Sequence, residues 1–119
     1  MQIEVGEFVR DCDGIIIKVN EIQEYKEDDD IWYEETTLKG TWKSMVVKHS
    51  KNIIDLIEVG DYVNGYKVTK VGKYSSDYPD FMIGETYIGI ENKEYWIYEE
   101  EKIKSIVTKE QFKSVEYII

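Results

Sequence analysis

The amino-acid sequence predicts a mainly β domain, a small SH3-like or partly open antiparallel β-barrel with an internal repeat and one short C-terminal helix. The repeat is the first observation behind this prediction: residues 3–9 (IEVGEFV) recur as residues 57–63 (IEVGDYV), and each copy leads through a turn into an apolar run that ends Lys-Val. The second is that short β-branched and aromatic runs, separated by turn residues, fill most of the chain. Small curled barrels begin with this pattern of strand, turn and strand.

A tight hairpin follows each copy of the repeated phrase. Asp13-Gly14 precedes the apolar run at residues 15–19. Asn64-Gly65 precedes the equivalent run at residues 66–71. Both dipeptides accept the positive φ angles that tight hairpin turns need, and Asn-Gly is the stronger signal. Each copy therefore predicts a strand, a turn and a second strand.

The segment between the two copies predicts a further strand pair. Residues 31–34 and 41–47 are short runs rich in aromatic or β-branched side chains, and we place the turn between them at Lys39-Gly40. Residues 49–56 have apolar side chains that match neither the strand nor the helix period. They predict a short helical turn or loop that leads to the second copy.

The C-terminal half predicts more strands. Residues 74–80 hold the only proline of the chain and read as a loop. Residues 86–90 and 94–98 form the two arms of another hairpin, and residues 103–107 form a last barrel strand.

The sequence predicts the start of one helix near the C-terminus. Thr108 and Gln111 have the spacing of a capping box, in which each side chain caps the other's backbone amide. The helix is short, with Phe112 as its expected core contact. Residues 115–119 are dominated by β-branched side chains and predict a closing strand.

Length and composition predict one domain over residues 1–119, with repeat-like units that start near residues 3 and 57. The chain has 119 residues and a mass of 14.1 kDa, enough for a modest core without metal or disulfide. Cys12 is the single cysteine and excludes an internal disulfide. A signal peptide is not evident and no apolar run approaches the roughly 20 residues that cross a bilayer. We therefore expect a cytoplasmic location.

The net charge limits the classes of partner. The chain has 25 acidic and 15 basic side chains, a net charge of −10 and an isoelectric point near 4.6. A surface this negative repels nucleic acid and anionic lipid, and it attracts basic protein surfaces. We therefore expect no direct nucleic-acid binding and no membrane binding. The alternative explanation is that the charge only keeps the protein soluble.

The acidic side chains form two patches along the sequence. Residues 21–35 hold eight carboxylates and one lysine, and residues 91–101 hold five more carboxylates against one lysine. Aromatic rings beside carboxylates suit a protein-binding face, because the rings supply contact area and the carboxylates meet arginine or lysine. The same aromatics could instead fill the barrel. They are Trp32, Tyr33, Tyr95, Trp96 and Tyr98.

The sequence predicts no enzyme, no metal site and no cofactor. His49 is the only histidine and has no evident orienting carboxylate in the sequence. Cys12 lies between two aspartates, and negative neighbours do not favour a nucleophilic cysteine. The acidic run at residues 27–30 offers oxygen ligands but lacks EF-hand spacing, so we interpret it as a solvated loop. Neither a P-loop nor a dinucleotide-binding glycine motif occurs.

Residues 49–65 and 103–112 resemble small uncharacterised proteins encoded by phages and prophages of Gram-positive bacteria. The resemblance covers the repeated phrase and the C-terminal half best, and it leaves out residues 21–41. Its motifs describe architecture, so it carries over no active residue. What the resemblance implies is a genomic setting in which inhibitors of host defence are common.

The charge and the resemblance together predict an acidic interaction protein that inhibits a host defence factor. It would cover a basic, nucleic-acid-binding surface, such as that of a CRISPR nuclease, by placing carboxylates where phosphates would lie. The predicted contact residues are acidic or aromatic members of the two patches: Glu27, Asp28, Asp29, Asp30, Trp32, Glu99, Glu100 and Glu101.

Two other functions stay open. The protein could sequester a nucleotide immune signal, with aromatic rings stacked on the base and Lys43, Lys48 and Lys70 at the phosphates. It could also be a structural phage protein. Exposed strand edges and the apolar tail at residues 117–119 would allow a homodimer in any of these cases.

Overall fold

The computed structural model describes residues 2–75, 77, 84–91, 96–97 and 102–114. The chain divides into two compact units, Met1–Leu56 (unit 1) and Ile57–Ile119 (unit 2). The boundary lies at the start of the second copy of the repeated phrase. That residues 1–119 act as one domain stays a prediction.

Unit 1 contains six strands and two 3-10 helices, the latter at Lys43–Met45 and Ile53–Leu56. The strands are β1 (Phe8–Asp11), β2 (Ile16–Lys18), β3 (Glu21–Tyr25), β4 (Asp30–Thr36), β5 (Lys39–Trp42) and β6 (Val46–Ser50). They form two antiparallel sheets with the orders β2-β1-β6 and β3-β4-β5.

Unit 2 contains one five-stranded antiparallel sheet and one α-helix within its described residues. The strands are β7 (Tyr62–Val63), β8 (Tyr66–Lys73), β9 (Thr86–Ile90), β10 (Trp96–Ile97) and β11 (Ile106–Val107), and the helix is α1 (Lys109–Ser114). The strand order is β10-β9-β8-β7-β11.

The prediction of a mainly β chain with one short C-terminal helix is confirmed. The described strands form separate sheets and do not close into a barrel, so the SH3-like barrel stays a prediction. In the part of the chain that the structure describes, no helix is long and apolar enough to cross a membrane.

The first copy of the repeated phrase folds into a turn that its own acidic residue closes. Gly6 has a φ of 97°, a conformation that glycine adopts at little cost. The Gly6 amide donates to the Val19 carbonyl at 2.8 Å, and the Val19 amide donates to the Glu7 carbonyl at 2.8 Å. The Glu7 carboxylate accepts the Glu4 amide at 2.6 Å. We call this arrangement the repeated turn.

The second copy makes the same set of hydrogen bonds. Gly60 has a φ of 100°, and its amide donates to the Val68 carbonyl at 3.0 Å. The Val68 amide donates to the Asp61 carbonyl at 2.7 Å, and the Asp61 carboxylate accepts the Glu58 amide at 2.7 Å. The two copies of the repeated phrase therefore adopt the same backbone turn.

The core of unit 1 lies between its two sheets. It consists of five buried side chains from the repeated phrase, β1, β2, β4 and the segment after β2: Ile3, Val9, Ile17, Val19 and Tyr33. Asp11 supports the same region from the end of β1. Its buried carboxylate accepts the amides of Asp13 and Ile15 at 2.9 and 3.0 Å and the Thr41 hydroxyl at 2.8 Å. This carboxylate fixes the first hairpin and ties it to β5.

Four predictions for unit 1 are wrong. The predicted strand at residues 41–47 is interrupted by the 3-10 helix at Lys43–Met45, which separates β5 from β6. The turn of the β4–β5 hairpin lies at residues 37–38, not at Lys39-Gly40, because the Trp32 ring packs across Gly40 within β5. Strand β3 lies in the acidic stretch that we did not assign to a strand. His49 belongs to β6, and the helical turn starts only at Ile53.

The Asn64-Gly65 hairpin of unit 2 is confirmed. Both residues have positive φ angles, 54° and 83°, as a type I′ turn requires. The Asn64 side chain also holds the segment before β11, since its Oδ1 accepts the Lys104 and Ser105 amides at 2.7 and 3.1 Å. The side-chain nitrogen of Asn64, Nδ2, donates to the Lys102 carbonyl at 2.9 Å.

The capping box at the start of α1 is confirmed. The Thr108 amide donates to Gln111 Oε1 at 3.1 Å, and the Gln111 amide donates to Thr108 Oγ1 at 3.4 Å. The expected burial of Phe112 is wrong. This ring is 51% exposed and stacks on Tyr62 with a centroid separation of 4.8 Å.

The antiparallel pairing of β9 with β10 confirms the predicted third hairpin where the structure describes it. Its connection at residues 92–95 lies outside the described residues. The same holds for most of the predicted loop at residues 74–80 and for the predicted closing strand at residues 115–119.

Candidate functional site

The structure describes five of the eight predicted contact residues. Glu27, Asp28 and Asp29 are exposed and lie in the turn between β3 and β4. Asp29 has a φ of 52°, which aspartate tolerates better than most residues. We call these three residues the acidic turn. The other predicted acidic group, Glu99, Glu100 and Glu101, lies outside the described residues.

Asp30 differs from the acidic turn because its carboxylate is already bound within unit 1. The Ser44 hydroxyl donates to Oδ2 at 2.7 Å, and the Ile31 and Ser44 amides donate to Oδ1 at 2.8 and 3.2 Å. The hydrogen bonds from Ser44 and Ile31 hold the pKa of Asp30 below its ordinary value. Asp30 therefore links β4 to the first 3-10 helix as well as adding negative charge.

One face of the β3-β4-β5 sheet presents three aromatic rings. The Trp42 ring lies 5.0 Å from the Trp32 ring and 5.2 Å from the Tyr25 ring, measured between centroids, and both contacts are edge-to-face. Edge-to-face geometry is favourable for aromatic pairs. Tyr25 is 42% exposed, and both tryptophans are half-buried. We call these three residues the aromatic strip.

Gly40 determines where the Trp32 ring lies. A Cβ atom at this position would overlap that ring and would lie 2.6 Å from the Tyr33 carbonyl oxygen. The bare backbone of β5 therefore lets the indole lie across it. Trp32 Nε1 donates to Glu34 Oε1 at 3.3 Å.

The alternation of side chains along β4 separates the two aromatics that the sequence had grouped. Trp32 points to the face with the aromatic strip, whereas Tyr33 is 2% exposed and belongs to the core. Burial, with the charges of Asp30 and Glu7, raises the pKa of Tyr33. For this pair, one aromatic fills the core and one belongs to the surface. Tyr95 and Tyr98 lie outside the described residues.

Two carboxylates complete the face. Glu21 of β3 lies directly opposite Glu34 of β4 in the antiparallel register, on the same face as Trp32. Within the described residues, neither forms an ion pair. Like charges in directly opposed positions destabilise a sheet, so this end of the aromatic strip favours a cation.

A cavity of about 260 Å³ lies at the other end of the same sheet. Three carboxylates and two lysines contribute to its lining: Glu24, Tyr25, Lys26, Asp29, Asp30, Ile31 and Lys43. Of the lysines proposed for a phosphate ligand, Lys43 lies here beside carboxylates, Lys48 lies on β6 and Lys70 lies 6.0 Å from the Tyr87 ring of unit 2.

The expectation that His49 has no orienting carboxylate is wrong. His49 Nδ1 lies 2.8 Å from Glu7 Oε1. The pairing of β1 with β6 places His49 opposite Val9, and Glu7 directly precedes β1. Within the described residues, no group of three or more histidine, cysteine, aspartate or glutamate side chains is placed to hold a metal ion. Cys12 is an exposed free cysteine.

We expect Glu7→Gln to make the free energy of unfolding depend less on pH in the acidic range. Burial alone would raise the pKa of Glu7, but the hydrogen bonds with His49 and Glu4 outweigh burial and hold it below its ordinary value. This carboxylate therefore contributes fully to the free energy of unfolding above its pKa in the unfolded chain, about 4.3. The contribution is lost as the pH falls through the lower pKa that Glu7 has in the folded protein. Urea unfolding between about pH 7 and about pH 3 measures the slope.

The two proteins are compared by the slope of their free energy of unfolding against pH. Their absolute stabilities are not compared, because the substitution also lowers the stability itself. The wild type should lose more free energy of unfolding across this acid range than Glu7→Gln does. Parallel curves for the two proteins would contradict the assignment.

Sequence reasoning found Trp32 but missed the residues that surround it. Tyr25, Trp42, Glu21 and Glu34 join it only through the register of β3, β4 and β5. Residues 21–25 read EIQEY, which does not alternate between polar and apolar side chains, so periodicity gave no signal for β3.

Comparison with protein-family models, with curated proteins and with solved structures finds no match for this chain.

Proposed function

We propose that this protein is an acidic interaction protein that binds a basic, nucleic-acid-binding surface of a host defence factor. It would act by occupying that surface and not by catalysis. The proposal includes the phage context and intracellular location that the sequence suggests, and a partly open barrel as the fold to which the repeat belongs.

The observation that carries the proposal is the exposed acidic turn on a chain of net charge −10. Three successive carboxylates at the tip of a hairpin offer a row of negative charge with few internal partners. Such a row attracts arginine and lysine over a distance of about 8 Å at physiological salt. The neighbouring aromatic strip adds apolar contact area, which ionic attraction alone does not supply.

Removal of charge from the acidic turn should abolish partner binding. We expect Glu27→Gln, Asp28→Asn and Asp29→Asn together to release the partner, because the carboxylates would stand in for phosphates. Asn is used at residue 29 because it also tolerates a positive φ, and Asp30 is left intact because it binds Ser44. A pull-down from nuclease-treated host lysate at low and high salt, with mass spectrometry, gives the readout.

A matched variant controls for net charge. Glu4→Gln, Asp13→Asn and Glu85→Gln also neutralise three exposed carboxylates, none of which belongs to the acidic turn. It should retain a nucleic-acid-handling protein that added duplex DNA displaces. Undiminished retention by the acidic-turn variant, or the same loss in both variants, would refute the proposal.

A further inference from the structure

We propose that the aromatic strip, together with Glu21 and Glu34, binds the guanidinium group of an arginine from a basic partner. This inference rests on the proposed function, because it assumes a partner with a basic surface. It names the side chain that the partner would insert and the face that would receive it.

The charge arrangement points to a cation. Glu21 and Glu34 oppose each other on adjacent strands, and within the described part of the chain neither has a basic side chain as an ion-pair partner. Glu34 is half-buried and accepts the Trp32 indole N–H at 3.3 Å. A cation between the two carboxylates would replace their repulsion by two attractive contacts.

The rings determine which cation fits. Tryptophan and tyrosine attract a cation over their faces, with tryptophan the stronger. A guanidinium is planar, so it can stack on a ring and donate through its edge to a carboxylate at the same time, whereas an ammonium is a compact, strongly hydrated charge. Trp32 with Glu34 at its edge offers this pair of contacts. The geometry therefore favours arginine over lysine.

The partner is better explained as a different, basic chain than as a second copy of this one. A second copy would bring another net charge of −10 against a face that already holds the carboxylates of Glu21 and Glu34. Repulsion between like-charged surfaces opposes such an association. A basic segment instead complements the face in charge.

Binding of a defined peptide tests the proposal directly. The probe is a short glycine-serine peptide with three arginines, compared with the same peptide carrying lysine or citrulline. We expect the arginine peptide to shift the indole N–H resonances of Trp32 and Trp42 in a nitrogen–proton NMR spectrum. Citrulline keeps the shape but not the charge, so its peptide should not bind, and the lysine peptide should bind more weakly.

Variants identify the site. Glu34→Gln and Glu21→Gln should each weaken the arginine peptide, Glu34→Gln by about tenfold, as expected for loss of one charge-assisted hydrogen bond. Asp13→Asn removes the same charge from an exposed position outside the aromatic strip and the acidic turn, and it should change the affinity by less than about twofold, because exposed charges are screened. The dispersion of the amide spectrum reports whether each variant is folded.

Several results would overturn the inference: equal binding of the arginine and citrulline peptides, equal weakening by Asp13→Asn and Glu34→Gln, or shifts confined to residues away from the strip. These failures are separable from failure of the proposed function. A lysate partner that depends on the acidic turn but not on Glu34 would leave the proposed function intact and refute only the arginine site.

Discussion

Ile17→Ala should lower the free energy of unfolding by about 2–5 kcal/mol, the range for large-to-small substitutions in a packed core. Ile17 is 1% exposed and lies opposite Val9 on the neighbouring strand. Removal of its outer carbons takes away contacts with the core and leaves a cavity that the two sheets cannot fully close. Urea unfolding followed by tryptophan fluorescence measures the loss.

Val47→Ala is the matched control for this substitution. Val47 lies in β6 of the same unit but is 56% exposed, so its truncation should change stability by less than about 0.5 kcal/mol. A loss below about 1 kcal/mol for Ile17→Ala would mean that this side chain is not part of a packed core.

Asp61→Ala should cost about 2–4 kcal/mol and should detach α1 from the repeated turn. The carboxylate is fully buried and accepts two backbone amides, that of Glu58 at 2.7 Å and that of Lys109 at 2.9 Å. Loss of one acceptor from a buried donor costs about 1–3 kcal/mol, and here two donors lose theirs. The Lys109 amide is also one of the first helical N–H groups, which have no partner inside the helix.

Hydrogen exchange measures the effect on the helix separately from the global loss. In Asp61→Ala, amides of α1 should exchange faster relative to those of β8 than in the wild type. Asp61→Asn keeps one acceptor oxygen and should fall between the two. Unchanged protection of α1 would show that the helix is held by its own capping box and not by Asp61.

Features that depend on neighbouring residues were predictable from the sequence. The Asn64-Gly65 hairpin and the Thr108–Gln111 capping box each follow from the conformational preferences of a few adjacent residues. The repeated phrase likewise indicated a repeated structure, because a carboxylate, of Glu7 in one copy and of Asp61 in the other, closes the same turn. None of these features needs a contact between distant parts of the chain.

Features that depend on distant contacts were not predictable. Gly40 resembles a turn residue until the Trp32 ring is placed across it, and the acidic β3 resembles a loop until β4 pairs with it. His49 gains its carboxylate from Glu7 through the pairing of β1 with β6. The candidate site has the same character, since its rings come from three strands and meet only through the register.

The repeated turn has one spare oxygen in each copy, and the two copies attach it differently. In unit 1 the second oxygen of Glu7 contacts His49 Nδ1 at 2.8 Å, so the turn is attached to β6. In unit 2 the second oxygen of Asp61 accepts the Lys109 amide at 2.9 Å, so the turn is attached to the start of α1. One backbone turn, closed by a carboxylate, thus serves two different attachments: to a neighbouring strand in one copy and to a helix in the other.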